Sequence, residues 1–213
     1  MGLARISVML FASLALSAPA GAAVVIGQAV SGNAVAQGGV FQLIAPPAAV
    51  GQNNLQSLNL IAFNEKQKLV LPSALVPSIG APIAAGTRVS SHIIAFDPVA
   101  SRTVNGWVEF DGRVLGILTT RSALLATNGL LGAPGTTYNM PGGVGLEAND
   151  IAQVDLFNPW RINVRMTAGS PGDLIRVITA VVPEPRSWAL LLAGFGLIGL
   201  SMRRSPAVPR VRA

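Results

Sequence analysis

The chain closes on an uncharged apolar run, Ala189–Met202, broken only by Gly194, Gly196, Gly199 and Ser201 and stopped by Arg203-Arg204. Such a run reads as a membrane helix, which removes it from any globular core. Trp188 ahead of it is an interfacial anchor, and Val182-Pro183-Glu184-Pro185 is a stiff extended spacer. As a helix, Trp188–Met202 would reach roughly 22 Å at 1.5 Å per residue, short against about 30 Å of hydrocarbon. It needs local bilayer thinning or snorkelling by the flanking arginines, so it suits a transient anchor better than a permanent one.

The other end is also topogenic. Met1–Arg5 carries one positive charge, Ile6–Leu16 is apolar, and small residues follow from Ser17 to Ala23. This is the pattern of a secretory signal peptide over residues 1–22, too short for a comfortable span. Ala20-Gly21-Ala22 fits the small-x-small rule for signal peptidase and puts the mature start at Ala23; cleavage after Ala20 is the alternative.

The order Pro183-Glu184-Pro185, helix, Arg203-Arg204 resembles the C-terminal signal of PEP-CTERM proteins. The resemblance implies recognition by exosortase, a membrane-embedded cysteine transpeptidase of Gram-negative bacteria that make exopolysaccharide. The basic tail Ser205–Ala213 is longer than the family usually carries and should stay cytoplasmic. An ordinary single-span tail anchor is the plainer reading. The segment from about Gly86 to Thr179 also resembles a domain recurrent among PEP-CTERM proteins. The residues that prompt this are Gly86–His92, Phe96-Asp97-Pro98 and Leu131–Tyr138, and they carry no implied chemistry.

Setting the ends aside changes what the charge means. The whole chain has a formal net charge of +6. Between Ala23 and Val182, nine Lys and Arg stand against eight Asp and Glu, so the domain between the signals has no electrostatic case for nucleic acid. There is no cysteine, so export would not be accompanied by disulfides. Abundant Val, Ile and Leu with many Gly, Pro, Asn and Ser point to one all-β domain of turn-connected strands.

The strands can be placed from their alternation. Val24-Val25-Ile26 is β-prone. Leu55, Leu58, Leu60 and Phe63 lie in a second strand-like segment, and Asn64–Lys68 reads as a polar turn before Leu69-Val70-Leu71. Proline-rich Ser73–Ala85 should be an extended connection. In Thr87–Phe96, Val89, Ser91, Ile93 and Ala95 share one face and Arg88, Ser90, His92, Ile94 and Phe96 the other, with Asp97-Pro98 ending the strand. Within Val104–Thr119, Asp111-Gly112 signals a two-residue type I′ hairpin. That register would put Val108, Phe110, Leu115 and Ile117 on one core face, with Trp107, Glu109 and Val114 opposite. Ser122–Leu131 is the one candidate helix, capped by Thr120 or Ser122 and stopped at Asn128-Gly129. Ile151–Phe157, Arg161–Thr167 and Leu174–Val182 complete seven to nine strands. Ile162, Val164 and Met166 point inward in the second of these, and Ala168–Asp173 forms the turn after it.

Chemistry is sparse. A hydrolase could be assembled from Ser90 or Ser91, His92 and Asp97, but adjacent strand residues face opposite ways and no G-x-S-x-G elbow is present. A glycosidase needs two acids across a cleft. Glu109 and Asp111 share parity, although Asp111 is better explained by its turn, and Glu147, Asp150 and Asp155 remain. Glu147-Ala148-Asn149-Asp150 is the densest group of oxygen donors. It makes Glu147, Asn149 and Asp150 the calcium candidates, without EF-hand spacing, and a polar loop before a strand needs no metal. One histidine and no cysteine disfavour zinc. Trp107, Tyr138 and Trp160 could stack on sugars, or pack in the core or against loops.

These readings combine into three parts: signal peptide 1–22, an antiparallel β-sandwich of jelly-roll-like form over 23–182, and a sorting signal over 183–213 with a transmembrane helix. The expected protein is exported, not an enzyme, without cofactor, and anchored transiently in the cytoplasmic membrane before reaching the cell surface or medium. Its expected partners are signal peptidase, exosortase and extracellular polysaccharide in a biofilm. A carbohydrate- or calcium-binding module and a secreted hydrolase are the alternatives.

Overall fold

The computed structural model describes residues 23–181 and 193–196. The expected signal peptide with Ala20 and Ala22, the Pro183-Glu184-Pro185 motif and the expected Arg203-Arg204 stop lie outside the described residues. Among the described residues, no helix is long and apolar enough to cross a membrane.

The chain opens with β1 (Val24–Ser31), β2 (Phe41–Leu43), β3 (Ala49–Val50), β4 (Leu60–Asn64), β5 (Leu69–Val70) and β6 (Ile79–Gly80). Next come β7 (Arg88–Phe96), β8 (Arg102–Phe110), β9 (Val114–Leu118) and the helix α1 (Arg121–Leu131). The chain continues through β10 (Thr137–Tyr138), β11 (Ile151–Val154), β12 (Arg161–Ala168) and β13 (Asp173–Ala180). One sheet has the order β1-β8-β12-β11, antiparallel throughout. The other has the order β2-β4-β7-β13-β9-β6, with β5 added against β7. In it only the β2–β4 pair is parallel. A short parallel pair, β3 with β10, stands apart.

The two sheets pack face to face. Val104, Val108 and Phe110 of β8 with Ile162, Val164 and Met166 of β12 meet Ile94, Phe96, Ile175 and Val177 from β7 and β13. The predicted inward set of β12 is therefore correct, and its clean alternation reflects a sheet with one wet face. The sheets approach closely at Gly106, where an added Cβ would lie 2.8 Å from the Leu60 side chain of the opposite sheet.

The larger sheet is covered on its outer face too. Phe63, Ile93, Ala95, Leu174 and Ile178 pack there against Leu124 and Leu131 of α1 and against Met140 and Val144 of the following loop. That second core explains why β7 is buried on both faces after Arg88 at its start, with both predicted side-chain sets correct. Thr120 caps α1 as expected, its hydroxyl accepting the Ala123 amide. The helix continues past Asn128-Gly129 and ends at Gly132, because Leu130 and Leu131 still have the sheet to pack on.

The expected hairpin does not form. β8 is hydrogen-bonded to β1 on one side and β12 on the other, so no edge remains for β9, which pairs instead with β13 and β6 in the opposite sheet. Asp111-Gly112 is thus a crossing between sheets. Val108, Phe110 and Ile117 are in the core as predicted. A register irregularity opposite Ile178/Thr179 reverses the alternation at the start of β9. Val114 consequently points into the core between the sheets, while Leu115 packs at the border of the outer core.

Candidate functional site

At one end of the sandwich the loop before β11 meets the first residue of β13. Carboxylate oxygens of Glu147, Asp150 and Asp173 all lie within 4.8 Å of one another. Asp150 is held by backbone: its Oδ1 accepts the Thr167 amide at 2.8 Å and its Oδ2 the Glu147 amide at 3.0 Å. Asp173 is only 1 % exposed, paired in register with Phe96, and its Oδ2 has no hydrogen-bond partner among the described residues. Burial, then the charges of Asp150 and Glu147, push its carboxyl up to about 8. Beside the acids is a cleft of about 290 Å³ lined by Thr103, Glu147, Asn149, Asp150, Arg165 and Thr167. This is an oxygen-rich concavity with one cationic wall.

Two of the three calcium candidates, Glu147 and Asp150, therefore converge, and Asn149 lines the adjoining cleft. The sequence pattern places Asp173 at the end of a turn, not among the donors. The residue comes from the other sheet, so spacing along the chain carries no signal of the contact.

The hydrolase candidates separate. Ser90, Ser91, His92 and Asp97 are all buried. His92 faces the space between the sheets. Its Nδ1 lies 2.8 Å from Asn64 Oδ1, its Nε2 3.0 Å from Thr179 Oγ1, and its ring 4.9 Å from that of Phe110. Burial lowers its pKa to about 3. Ser91 faces the outer core and donates to Glu65 at 2.5 Å. Asp97 Oδ2 accepts the amides of Leu55 and Gln56 at 2.9 and 3.4 Å and ties that loop to the end of β7.

The other acids have local partners. Glu109 is ion-paired with Arg161 at 2.7 Å and accepts from Asn158. The Arg161 guanidinium sits 4.0 Å from the Trp107 ring centroid, which gives that tryptophan a structural occupation. Asp155 accepts from the Asn163 side chain and the amides of Phe157 and Asn158, and these bonds hold its carboxyl below the usual range. Tyr138 donates its hydroxyl to Glu65 and is packed against the outer core. Its ionisation is pushed up by burial and then by the Glu65 charge. Trp160 stays about half exposed, at the end of a turn whose Leu156 and Phe157 are almost fully in solvent.

A second polar centre escaped the sequence reading. Glu65, placed there in a polar turn, and Arg176, in the last strand, form a buried ion pair under α1. The available signal was a lone arginine amid Leu174, Ile175, Val177 and Ile178; its partner could not be named from the chain alone.

After Ala180 the chain passes directly into the segment that comparison with known families identifies. No curated protein and no solved structure matches the chain. Residues 181–205 match the PEP-CTERM protein-sorting motif, so this chain carries a PEP-CTERM sorting signal immediately after the last strand of its β-domain.

Proposed function

We propose that the chain is an exported, non-enzymatic surface or extracellular-matrix protein, processed at both ends and held in the exopolysaccharide layer of a biofilm-forming cell. The observation that carries this reading is the PEP-CTERM motif at 181–205, directly after β13. Residues 1–22 act as the signal peptide, and Trp188–Met202 forms the transmembrane helix of the signal that exosortase recognises. Arg203-Arg204 keeps the end of that helix in the cytoplasm, so the Pro183-Glu184-Pro185 motif faces outward. The seven residues 181–187 extend at most about 25 Å, so the folded domain waits close to the outer membrane face until it is released. A non-catalytic role is supported by the burial of His92, Ser90, Ser91 and Asp97 and by the pairing of Glu109 with Arg161.

The test is to express the chain with and without an exosortase and measure the mass of the mature form. The expected result is loss of the C-terminal helix only with the exosortase, followed by release from the cytoplasmic membrane. Recovery of protein ending at Ala213 from the secreted fraction of an exosortase-bearing host would overturn the reading.

A further inference from the structure

We propose that Glu147, Asp150 and Asp173 form a calcium site that ties the end of one sheet to the other. The first observation is convergence: two carboxylates of one loop and a third from the opposite sheet place oxygens within 4.8 Å of one another. Three carboxyl groups at that distance need a proton or a cation to offset their charge. The second is independent of the cluster. Asp173 Oδ2 is sealed from solvent and has no hydrogen-bond partner among the described residues, in a place where an unpartnered polar atom is costly. A cation is the partner that this oxygen lacks.

The donor chemistry selects the ion. All three ligands are carboxylates, with no imidazole or thiolate, which favours a hard cation over zinc or copper. Calcium takes six to eight oxygens in adaptable geometry, whereas magnesium demands a near-ideal octahedron and gives up its waters reluctantly. The adjoining cleft of about 290 Å³, with Thr103, Asn149 and Thr167 in its walls, has room for waters that complete the larger shell. Asp150 is already oriented: the Thr167 and Glu147 amides each occupy one lone pair of its carboxylate and leave the others for a metal. Arg165 also lines the cleft and offsets part of the negative charge, but three carboxylates outnumber it.

The position gives the ion a task. Glu147 and Asp150 lead into β11 of the smaller sheet, and Asp173 opens β13 near the centre of the larger one. A bound calcium is a cross-link between sheets in a chain without cysteine.

The test uses the full chain in detergent, stripped with EGTA and titrated with CaCl2 by calorimetry and thermal unfolding. One site in the range of extracellular modules, Kd about 10⁻⁴–10⁻³ M, is expected, with Tm raised by roughly 3–6 °C at saturating calcium. Glu147→Gln and Asp173→Asn should each weaken binding at least tenfold and abolish the Tm rise, while Asp155→Asn leaves both unchanged. Glu147 is exposed, so its variant serves even if the change at buried Asp173 impairs folding. No binding up to 10 mM calcium (about ten times the weakest expected Kd), an equal Tm rise in Glu147→Gln, or an equal response to MgCl2 would overturn the proposal. The titration is read on purified protein and is independent of how the chain is sorted.

Discussion

Arg176 and Glu65, 111 residues apart, meet in a bidentate pair: Nε to Oε2 at 2.6 Å and Nη2 to Oε1 at 2.8 Å. Neither side chain is exposed. The remaining guanidinium bonds run to α1. Nη1 donates to Thr127 Oγ1 at 2.7 Å and the Leu124 carbonyl at 3.2 Å, and Nη2 to Asn128 Oδ1 at 2.9 Å. The carboxylate also accepts from Ser91 and Tyr138. A charged pair out of water is tolerable only when its donors and acceptors are satisfied, and this one is satisfied by three further elements at once. It fixes where the helix lies on the sheet.

Removing the cation alone should be severe. Arg176→Met leaves the Glu65 carboxylate buried without its counter-charge, an expected loss of about 3–5 kcal/mol in urea unfolding. The double variant Glu65→Gln with Arg176→Met should lose less than the sum of the two single changes, by about 1–3 kcal/mol. Strict additivity would mean that the pair is not the unit described here.

The second expectation concerns acid. His92 is neutral between the sheets, with burial lowering its pKa to about 3. An unfolded histidine titrates near 6.5, so below that pH the unfolded state takes up a proton that the folded state refuses. The stabilisation is complete above about pH 6.5 and is lost progressively as pH falls towards 3, at about 1.4 kcal/mol per pH unit. Wild type should therefore lose about 2–3 kcal/mol more than His92→Gln between pH 6.5 and 4.5. Parallel stability–pH curves for the two proteins would contradict the buried neutral assignment.

What was legible in the chain followed from how many faces of each strand are wet. β12 has one solvated face, so Ile162, Val164 and Met166 declared themselves by alternation. β7 has none, and its two sets could be separated by parity but not ranked. The Asp111-Gly112 dipeptide correctly marked a change of direction. It could not show that β1 and β12 already occupy both edges of β8, because those partners lie at distant points of the chain. The same limit hid Asp173 from Glu147 and Arg176 from Glu65. Contacts between distant points of the chain leave no spacing to read.

A third prediction joins the proposed N-terminal cleavage to the fold. The Ala23 backbone nitrogen lies 2.5 Å from Asp111 Oδ1, and the Asp111 amide returns a bond to the Ala23 carbonyl at 3.0 Å. Cleavage after Ala22 would turn that nitrogen into an ammonium facing a carboxylate, a charge-assisted bond in place of an ordinary one. Asp111→Asn should then destabilise the processed form by about 0.5–1 kcal/mol more than the uncleaved precursor. Mass analysis should find Ala23 as the first residue. A mature start at Gly21, with equal effects on both forms, would refute the pairing.

The last prediction separates the parts of the sorting signal. The match at 181–205 includes the Pro183-Glu184-Pro185 motif, the apolar run and both arginines, and each has a different physical task. On the proposed reading the arginines would set orientation, since positive charge is retained on the cytoplasmic side. On the proposed reading the prolines would keep the segment extended, and Glu184 would offer the exosortase a negative charge between them. Neutralising Arg203 and Arg204 should therefore let the helix slip or invert, leaving uncleaved protein with an altered protease-protection pattern. Glu184→Gln or Pro185→Ala should leave uncleaved protein of unchanged orientation, because only recognition is lost. Both classes are compared by membrane fractionation with protease protection in an exosortase-bearing host. Normal processing of the Glu184 and Pro185 variants would assign recognition to the helix alone. Normal processing after neutralising both arginines would show that the helix holds its orientation without them.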